Sequence, residues 1–520
     1  MFFHLVFPLI LGLDLLVAGQ SKHTDQKQRD TYPDILSCLK ATDDPILTPD
    51  SPEWGESIKP YNPRIAPIPK LILTPNDVSC VQDAMACARL FPGTRLAPLG
   101  GGHSYTSFGL GGTDGAIVVN MKSFKQIEML EPQDGVDIVR VGGGVLVREL
   151  TVFLLKNGGL YWPHARCTEV GVVGSAIGGG FGTASRLLGS TLDNVVAVDI
   201  ILPNGNLTHA TATQNADIFF AVLGAGSSYG IIVSIDIKAH KPYSSPVLYT
   251  YQWNKPTLEK AVATFNAFQN YGIDQAPPEL SLRLNLGFPT GFPDHIIFQG
   301  VYYGDRKKFE AIIEPLLSQL SPPDVTNVTA VTFAQSEESL MGPLDGPPAI
   351  RPSAVAYTNS LLAFQPLPNN TIQEFMSNLM KRSQEKKSIN FRMQQFFDLW
   401  GGNGSYSSKM TKEDEDTYGF PHNNALLLFR ADGVLNATTA EAWPSDGISF
   451  VQSFTKPLFD SQKDPRSYPN YRDSAYTQEQ WSSRYYSDEY PKLQQIKAHL
   501  DPAGIMSANP QSVQPSTDGA

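Results

Sequence analysis

Two glycine clusters constrain this chain more than any other feature, because residues without side chains gather where a backbone must bend sharply or approach something closely. The first, Leu99-Gly100-Gly101-Gly102-His103-Ser104-Tyr105, follows a run with strand character. The second, Gly178-Gly179-Gly180-Phe181-Gly182, follows Cys167 and the run Val170-Gly171-Val172-Val173-Gly174. Three consecutive glycines let several N–H groups converge on one anion, the way a diphosphate is held without a lysine, although ordinary loops also contain them. The density of small residues in the second cluster suits a flat or extended ligand. Neither cluster is a GxGxxG opening a helix directly after a first strand, which argues against a Rossmann dehydrogenase.

At 520 residues the chain exceeds what one hydrophobic core usually serves, so two domains are expected. A net charge of -11 argues against nucleic acid and anionic membrane as partners, since both reward a basic face. The apolar opening, MFFHLVFPLILGLDLLVAGQS, is too short to span a bilayer and reads as a signal peptide over residues 1–19, with a membrane anchor as the alternative. Sequons at Asn206, Asn327, Asn369, Asn403 and Asn436 fit a secreted glycoprotein. Four cysteines, Cys38, Cys80, Cys87 and Cys167, are too few to build a disulfide scaffold, so the core must carry the fold.

From Ile68 to Pro242, short β-branched runs alternate with helical patterns. Val195 to Leu202 reads as a strand, Asn204-Gly205 as a hairpin turn with positive φ at both central residues, and Asn215 as the N-cap of a helix. After the Pro242 to Pro246 stretch, Leu258, Ala261, Val262, Phe265 and Phe268 follow helical spacing, and Leu280, Leu282, Leu284 and Leu286 alternate as a half-buried strand. A strand over Ile296 to Tyr303 and a helix over Arg306 to Leu320 follow, and Pro343 to Pro352 reads as a surface loop. The order points to an α+β chain with helices on one face of an antiparallel sheet.

GGGHSYTSFGLGG, CTEVGVVGSAIGGGFG, TLDNVVAVDIILPNG, YPNYRDSAY and DPAGIM together resemble the berberine-bridge-enzyme-like branch of the vanillyl-alcohol-oxidase flavoproteins, closest in look to fungal gluco- and chito-oligosaccharide oxidases. The resemblance runs in consistent order from Cys38 to Pro515. It implies an FAD-binding domain over residues 30–243, completed by 476–520, and a substrate domain over 244–475. It also implies an FAD cofactor, bonded covalently to His103 and to Cys167, which lies 64 residues further on. An oxidised flavin is electron-poor, so an imidazole or a thiolate can add to it. Gly100, Gly101, Gly102, Ser104, Val170, Gly171, Gly174, Ser175, Gly179, Gly180, Gly182 and Ile231 complete the expected cofactor site. The chain departs from the family's pattern at Ala165-Arg166 and Thr168 around Cys167, and at Ser175, where relatives often carry histidine. The resemblance also pairs Cys38 with Cys87, with Cys80, two helical turns earlier, as the competitor.

On the substrate side the resemblance implies that Tyr471 removes a hydroxyl proton and that Asp398 takes it onward, since a phenol is a poor base at neutral pH. Tyr105, Phe396 and Arg430 are expected to touch the substrate. Phe396 and Arg430 stand where the sugar oxidases carry glutamines. Residues two apart on a strand share a face, so Phe396 should point where Asp398 does and Gln395 away. Val170, with the volume of a valine where dehydrogenases of the family carry leucine or isoleucine, implies dioxygen as the electron acceptor. The readings that follow are a monomeric secreted oxidase of an oligosaccharide C1 hydroxyl, a tailoring enzyme of secondary metabolism, or a flavin-loaded binding protein with little turnover. No metal is expected.

Overall fold

The computed structural model describes residues 31–42, 44–241, 245–287, 292–345, 353–385, 391–435 and 443–516. The expected signal segment, the sequon at Asn436, Pro242 and most of the Pro343 to Pro352 loop lie outside them.

Three sheets organise the chain. The first joins β1 (Ile46–Leu47), β2 (Leu71–Leu73), β3 (Leu96–Leu99) and β4 (Ile117–Asn120) in the order β1-β2-β4-β3, with β2, β4 and β3 parallel. The second joins β5 (Ile127–Gln133), β6 (Val136–Gly142), β7 (Val195–Ile201), β8 (Leu207–Ala210) and β9 (Ile231–Ala239), antiparallel in the order β5-β6-β9-β7-β8. The third contains β10 (Val247–Asn254), β11 (Arg283–Leu286), β12 (His295–Tyr302), β13 (Val325–Ala330), β14 (Val355–Ala363), β15 (Phe391–Leu399) and β16 (Leu427–Leu435). Its order is β13-β10-β12-β11-β15-β16-β14, antiparallel throughout.

The helical and alternating patterns find their partners here. The helix Leu258–Asp274 buries Ala261, Phe265 and Phe268 on the third sheet, where Phe265 and Phe375 meet Phe397 edge-on. The helices Asn369–Glu385 and Gly447–Asp460 cover the same face. Each fully buried phenylalanine there contributes roughly 1.5–3 kcal/mol, so this face fixes the register of the sheet. The opposite face of β11, β15 and β16 is left to look toward the first two sheets. The C-terminal segment packs against those two sheets: Leu96 donates to the Ile505 carbonyl (2.8 Å), and Ile505 and Met506 join the core of the first sheet.

Two local expectations need correction. The β7–β8 connection turns one residue earlier: the Gly205 N–H donates to the Leu202 carbonyl (2.8 Å), and Gly205 has positive φ while Asn204 does not. Pro203, with φ fixed near -65°, favours the first central position of an ordinary turn and displaces the mirror-image one. Asn215 does precede the helix Ala216–Ala225, but in a left-handed conformation, and its amide donates to the His209 carbonyl instead of capping. Cys38 and Cys87 form the disulfide between the helices Ile35–Lys40 and Val78–Leu90. Both are buried, whereas Cys80 sits in the half-exposed first turn.

Candidate functional site

A cavity of about 390 Å³ lies between the third sheet and the first two. Its walls divide by construction. At one end the wall is largely backbone: the loop after β3, Gly100 to Ser104; Gly143 after β6; residues 165–178; and Gly224 to Ser227 and Gly230. At the other, side chains from β11, β15, β16 and the loop 468–472 close it.

The backbone end depends on one close approach. A Cβ on Gly101 would lie 2.3 Å from the Gly171 nitrogen, and one on Gly171 would lie 2.6 Å from the Gly101 nitrogen. Only glycine lets these two loops touch, and the contact brings His103 to Cys167. Nε2 of His103 and Sγ of Cys167 are 3.4 Å apart, and both line the cavity. The His103 ring lies tilted against Tyr61, with 4.1 Å between centroids. Burial pushes the Cys167 thiol up, and the nearby Glu169 charge adds to this, so its reaction as a nucleophile calls for a proton acceptor such as the adjacent imidazole. Gly174 also lines the cavity, and a Cβ there would meet nothing within 4 Å. Ser104, Val170 and Ser175 are in the wall as well; Ser104 Oγ accepts the N–H groups of Thr106 and Phe108 and holds the loop.

At the side-chain end, strand register sets the pairs. Arg283 on β11 lies opposite Asp398 on β15, and Phe396 lies opposite Arg430 on β16. Phe396 and Arg430 line the cavity, and Gln395 is fully buried on the other face of β15. Tyr471 faces Tyr105 (5.9 Å between ring centroids), Phe396 (6.4 Å) and Tyr468 (5.0 Å). The Arg430 guanidinium lies between the rings of Tyr105 and Tyr471, 4.6 and 4.7 Å from their centroids, and is tied to Asp432.

Asp398 differs from expectation. It is 1% exposed, and its oxygens accept from Arg283 Nε (2.8 Å), Arg283 Nη2 (2.6 Å) and Arg166 Nη2 (3.2 Å). None of its hydrogen bonds among the described residues reaches Tyr471, so it is not a direct relay for the Tyr471 proton. Burial works against its charge, but the two guanidiniums outweigh burial and hold the carboxyl below its usual range.

An FAD binding domain matches residues 69–211, and a berberine and berberine-like domain matches residues 467–514. The chain is an FAD-dependent oxidoreductase similar to the berberine-bridge-enzyme-like enzymes. It is 27% identical to the glucooligosaccharide oxidase of Sarocladium strictum over 92% of this chain and 94% of that one. It is 28% identical to the FAD-linked oxidoreductase dpmaF of Metarhizium anisopliae, over 97% and 95%. Among solved structures it superposes on the glucooligosaccharide oxidase of Acremonium strictum, whose FAD is described as 6-S-cysteinyl, 8α-N1-histidyl, with a TM-score of 0.84, 25% identity and coverage of 93% of this chain and 99% of that one. The α+β architecture is that of the vanillyl-alcohol-oxidase-type flavoenzymes.

The residues fit an FAD. Two nucleophiles share one wall of the cavity, its glycines leave room against the backbone, and the buried guanidinium of Arg472, also in the wall, touches no carboxylate among the described residues. Four expected cofactor residues stand elsewhere. Gly179, Gly180 and Gly182 are not in the wall: a Cβ there would meet the Tyr468 ring, the Thr191 side chain and the His164 carbonyl oxygen, so they give space to protein. Ile231 packs in the core beside Val233, and its neighbours Gly230 and Ile232 line the cavity instead. Sequence reasoning missed Arg283, Asn470 and Arg472. Arg283 had a signal: it sits between Leu282 and Leu284, on the face the leucines leave.

Proposed function

We propose that this chain is a secreted oxidase that holds FAD covalently through His103 and Cys167 and dehydrogenates a hydroxyl-bearing carbon on the pattern of an oligosaccharide C1 hydroxyl. The bound flavin supplies the two-electron acceptor, and dioxygen takes the electrons on to hydrogen peroxide while the C–OH becomes C=O. The observation that carries the reading is the meeting of His103 and Cys167, 3.4 Å apart, in the cavity that Tyr471 enters from the opposite wall.

Tyr471 takes the hydroxyl proton, because it is the phenol on the cavity wall whose hydroxyl is hydrogen-bonded to none of the described residues. Asp398 acts at one remove, holding Arg166 and Arg283 in the wall. Tyr105, Phe396 and Arg430 shape the space beside Tyr471, and Val170 lines the cavity where dioxygen must pass. The division into an FAD unit over 30–243 and 476–520 and a substrate unit over 244–475 belongs to this reading. Exposed sequon asparagines at 206, 327, 369 and 403 favour export.

A second reading, tailoring of a less polar metabolite, is favoured by Phe396 in the wall. Acid-precipitated protein should stay yellow, and digestion should give flavin peptides containing His103 and Cys167. Anaerobic addition of cellobiose or another reducing oligosaccharide should bleach the flavin, and air should restore it with one peroxide per cycle. Flavin that washes out on denaturation rejects the covalent assignment. Bleaching only by phenolic or terpenoid alcohols selects the second reading.

A further inference from the structure

The cavity wall beside Tyr471 carries more positive charge than it neutralises. Arg166 and Arg283 both line it, and both are paired with the single carboxylate of Asp398. Arg430, the guanidinium between the Tyr105 and Tyr471 rings, has its own partner in Asp432, which Thr358 also contacts, so no spare acid is offered there. Arg166 Nε is buried with no hydrogen-bond partner, and Nη1 of Arg166 and of Arg283 makes no hydrogen bond to the described residues. Burial pushes the Arg166 guanidinium down and the Arg283 charge pushes it further, an unfavourable state that a second anion would relieve. The arrangement is also rigid. Phe396 lies 3.8 Å from the Arg283 guanidinium, and the bidentate grip of Asp398 fixes the plane of that group.

We infer that the substrate carries a carboxylate, received by Arg166 and Arg283 beside Phe396. The position of the acid rests on the oxidase reading above, which puts the reacting hydroxyl at Tyr471. Planar guanidiniums match a carboxylate with paired N–H groups, whereas a neutral substrate would leave the excess charge desolvated and unpaired. The carboxylate belongs either to a sugar acid or to an aromatic acid; Phe396, Tyr105 and Tyr471 give either ring a surface.

The test is binding to the flavin-loaded protein, followed by perturbation of the flavin absorbance, with probes that cannot be oxidised at C1. Methyl β-D-glucuronide is compared with methyl β-D-glucoside, and benzoate with benzamide. At least one acid should bind about tenfold or more tightly than its neutral match, less so in high salt, and the pair that discriminates identifies the source of the carboxylate. Arg166→Gln, which leaves Asp398 its bidentate partner, should abolish the preference, and Arg166→Lys should keep part of it. Melting temperature and flavin content identify a variant that has merely misfolded, and the wild-type comparison needs no variant. Equal binding within both pairs, no binding of either acid, or a preference that survives in folded Arg166→Gln overturns the inference, and equal binding would assign the charge to the cofactor. If cellobiose bleaches the flavin and no acid is preferred, the oxidase reading stands without the carboxylate. If an acid is preferred and no hydroxylated compound bleaches the flavin, the carboxylate site stands without the oxidase.

Discussion

The two ends of the cavity are built on different principles. The cofactor end is made by backbone: Gly101 and Gly171 touch because neither has a side chain, and the loops they join deliver His103 and Cys167. The substrate end is made by side chains on separate strands, where Arg283 reaches Asp398 across 115 residues of sequence and Arg166 reaches it across 232. A backbone-built wall fails when bulk is added at its closest approach, as at Gly101 or Gly171, and a side-chain wall fails one function at a time. The first holds one ligand type, while the second is free to change what it accepts.

Tyr471→Phe separates these behaviours most widely. Its hydroxyl has no hydrogen bond to the described residues, so its loss should leave melting temperature and flavin content unchanged while substrate-driven flavin reduction falls about 10²–10⁴-fold. Undiminished reduction would remove Tyr471 from the chemistry and leave this end a container only. Asp398→Asn comes next. It strands two guanidiniums in a wall where the carboxylate is 1% exposed, and the expected cost is about 3 kcal/mol of stability, read as a lowered denaturation midpoint. A neutral result would mean that solvent or the cofactor already compensates the pair.

Gly101→Ala probes the other end, with an expected loss of about 1–3 kcal/mol, because the added carbon meets backbone that has no rotamer to change. Covalent flavin should fall with it, since the same contact sets the approach of His103 to Cys167. Normal flavin loading in this variant would show that the nucleophiles are positioned by something other than the glycine contact, and the contrast between the ends would narrow.

The same contrast explains what could be read without coordinates. Contiguous motifs announced the backbone end, since His103 and the glycines before it stand in one loop. The strands and helices with clean periodicity, such as Val195–Ile201 and Leu258–Asp274, were equally legible. What fills the space a glycine leaves was not: at Gly179 it is the ring of Tyr468, 289 residues away in the chain. Arg166 was visible only as a departure before Cys167. The pairing of Arg283 with Asp398 required the order of the third sheet, in which β11 and β15 are neighbours although three strands and three helices lie between them in sequence. For Asp398 the motif implies a partnership with Tyr471, but its hydrogen bonds depend on Arg283, directly opposite on the adjacent strand, and on Arg166, neither of which is near it in sequence.

The smallest expected effect lies outside the cavity wall, in two buried histidine–carboxylate pairs that join distant parts of the chain. His164 meets Glu337 at 2.8 Å, and His422 meets Asp193 at 2.8 Å. Burial disfavours charge on both imidazoles, but the facing carboxylate outweighs it and raises each above the ordinary histidine value. A histidine raised in the folded state contributes stability that is full below its unfolded pKa, about 6.5, and is lost as pH rises through the folded value. His240 acts in the opposite sense. Burial, with the Lys238 charge, lowers it to about 4, so stability is lost as pH falls from about 6.5 toward that value. The midpoint of thermal unfolding should therefore decline on both sides of near-neutral pH. In His422→Gln the alkaline decline should flatten, because one of the raised imidazoles that set it is gone. His422 also holds the Asp193 carboxyl low, which bears on the acid side alone, so parallel alkaline limbs would mean that His422 is neutral in the fold and that this contact is held by packing around Phe420 and Trp400 instead of by charge.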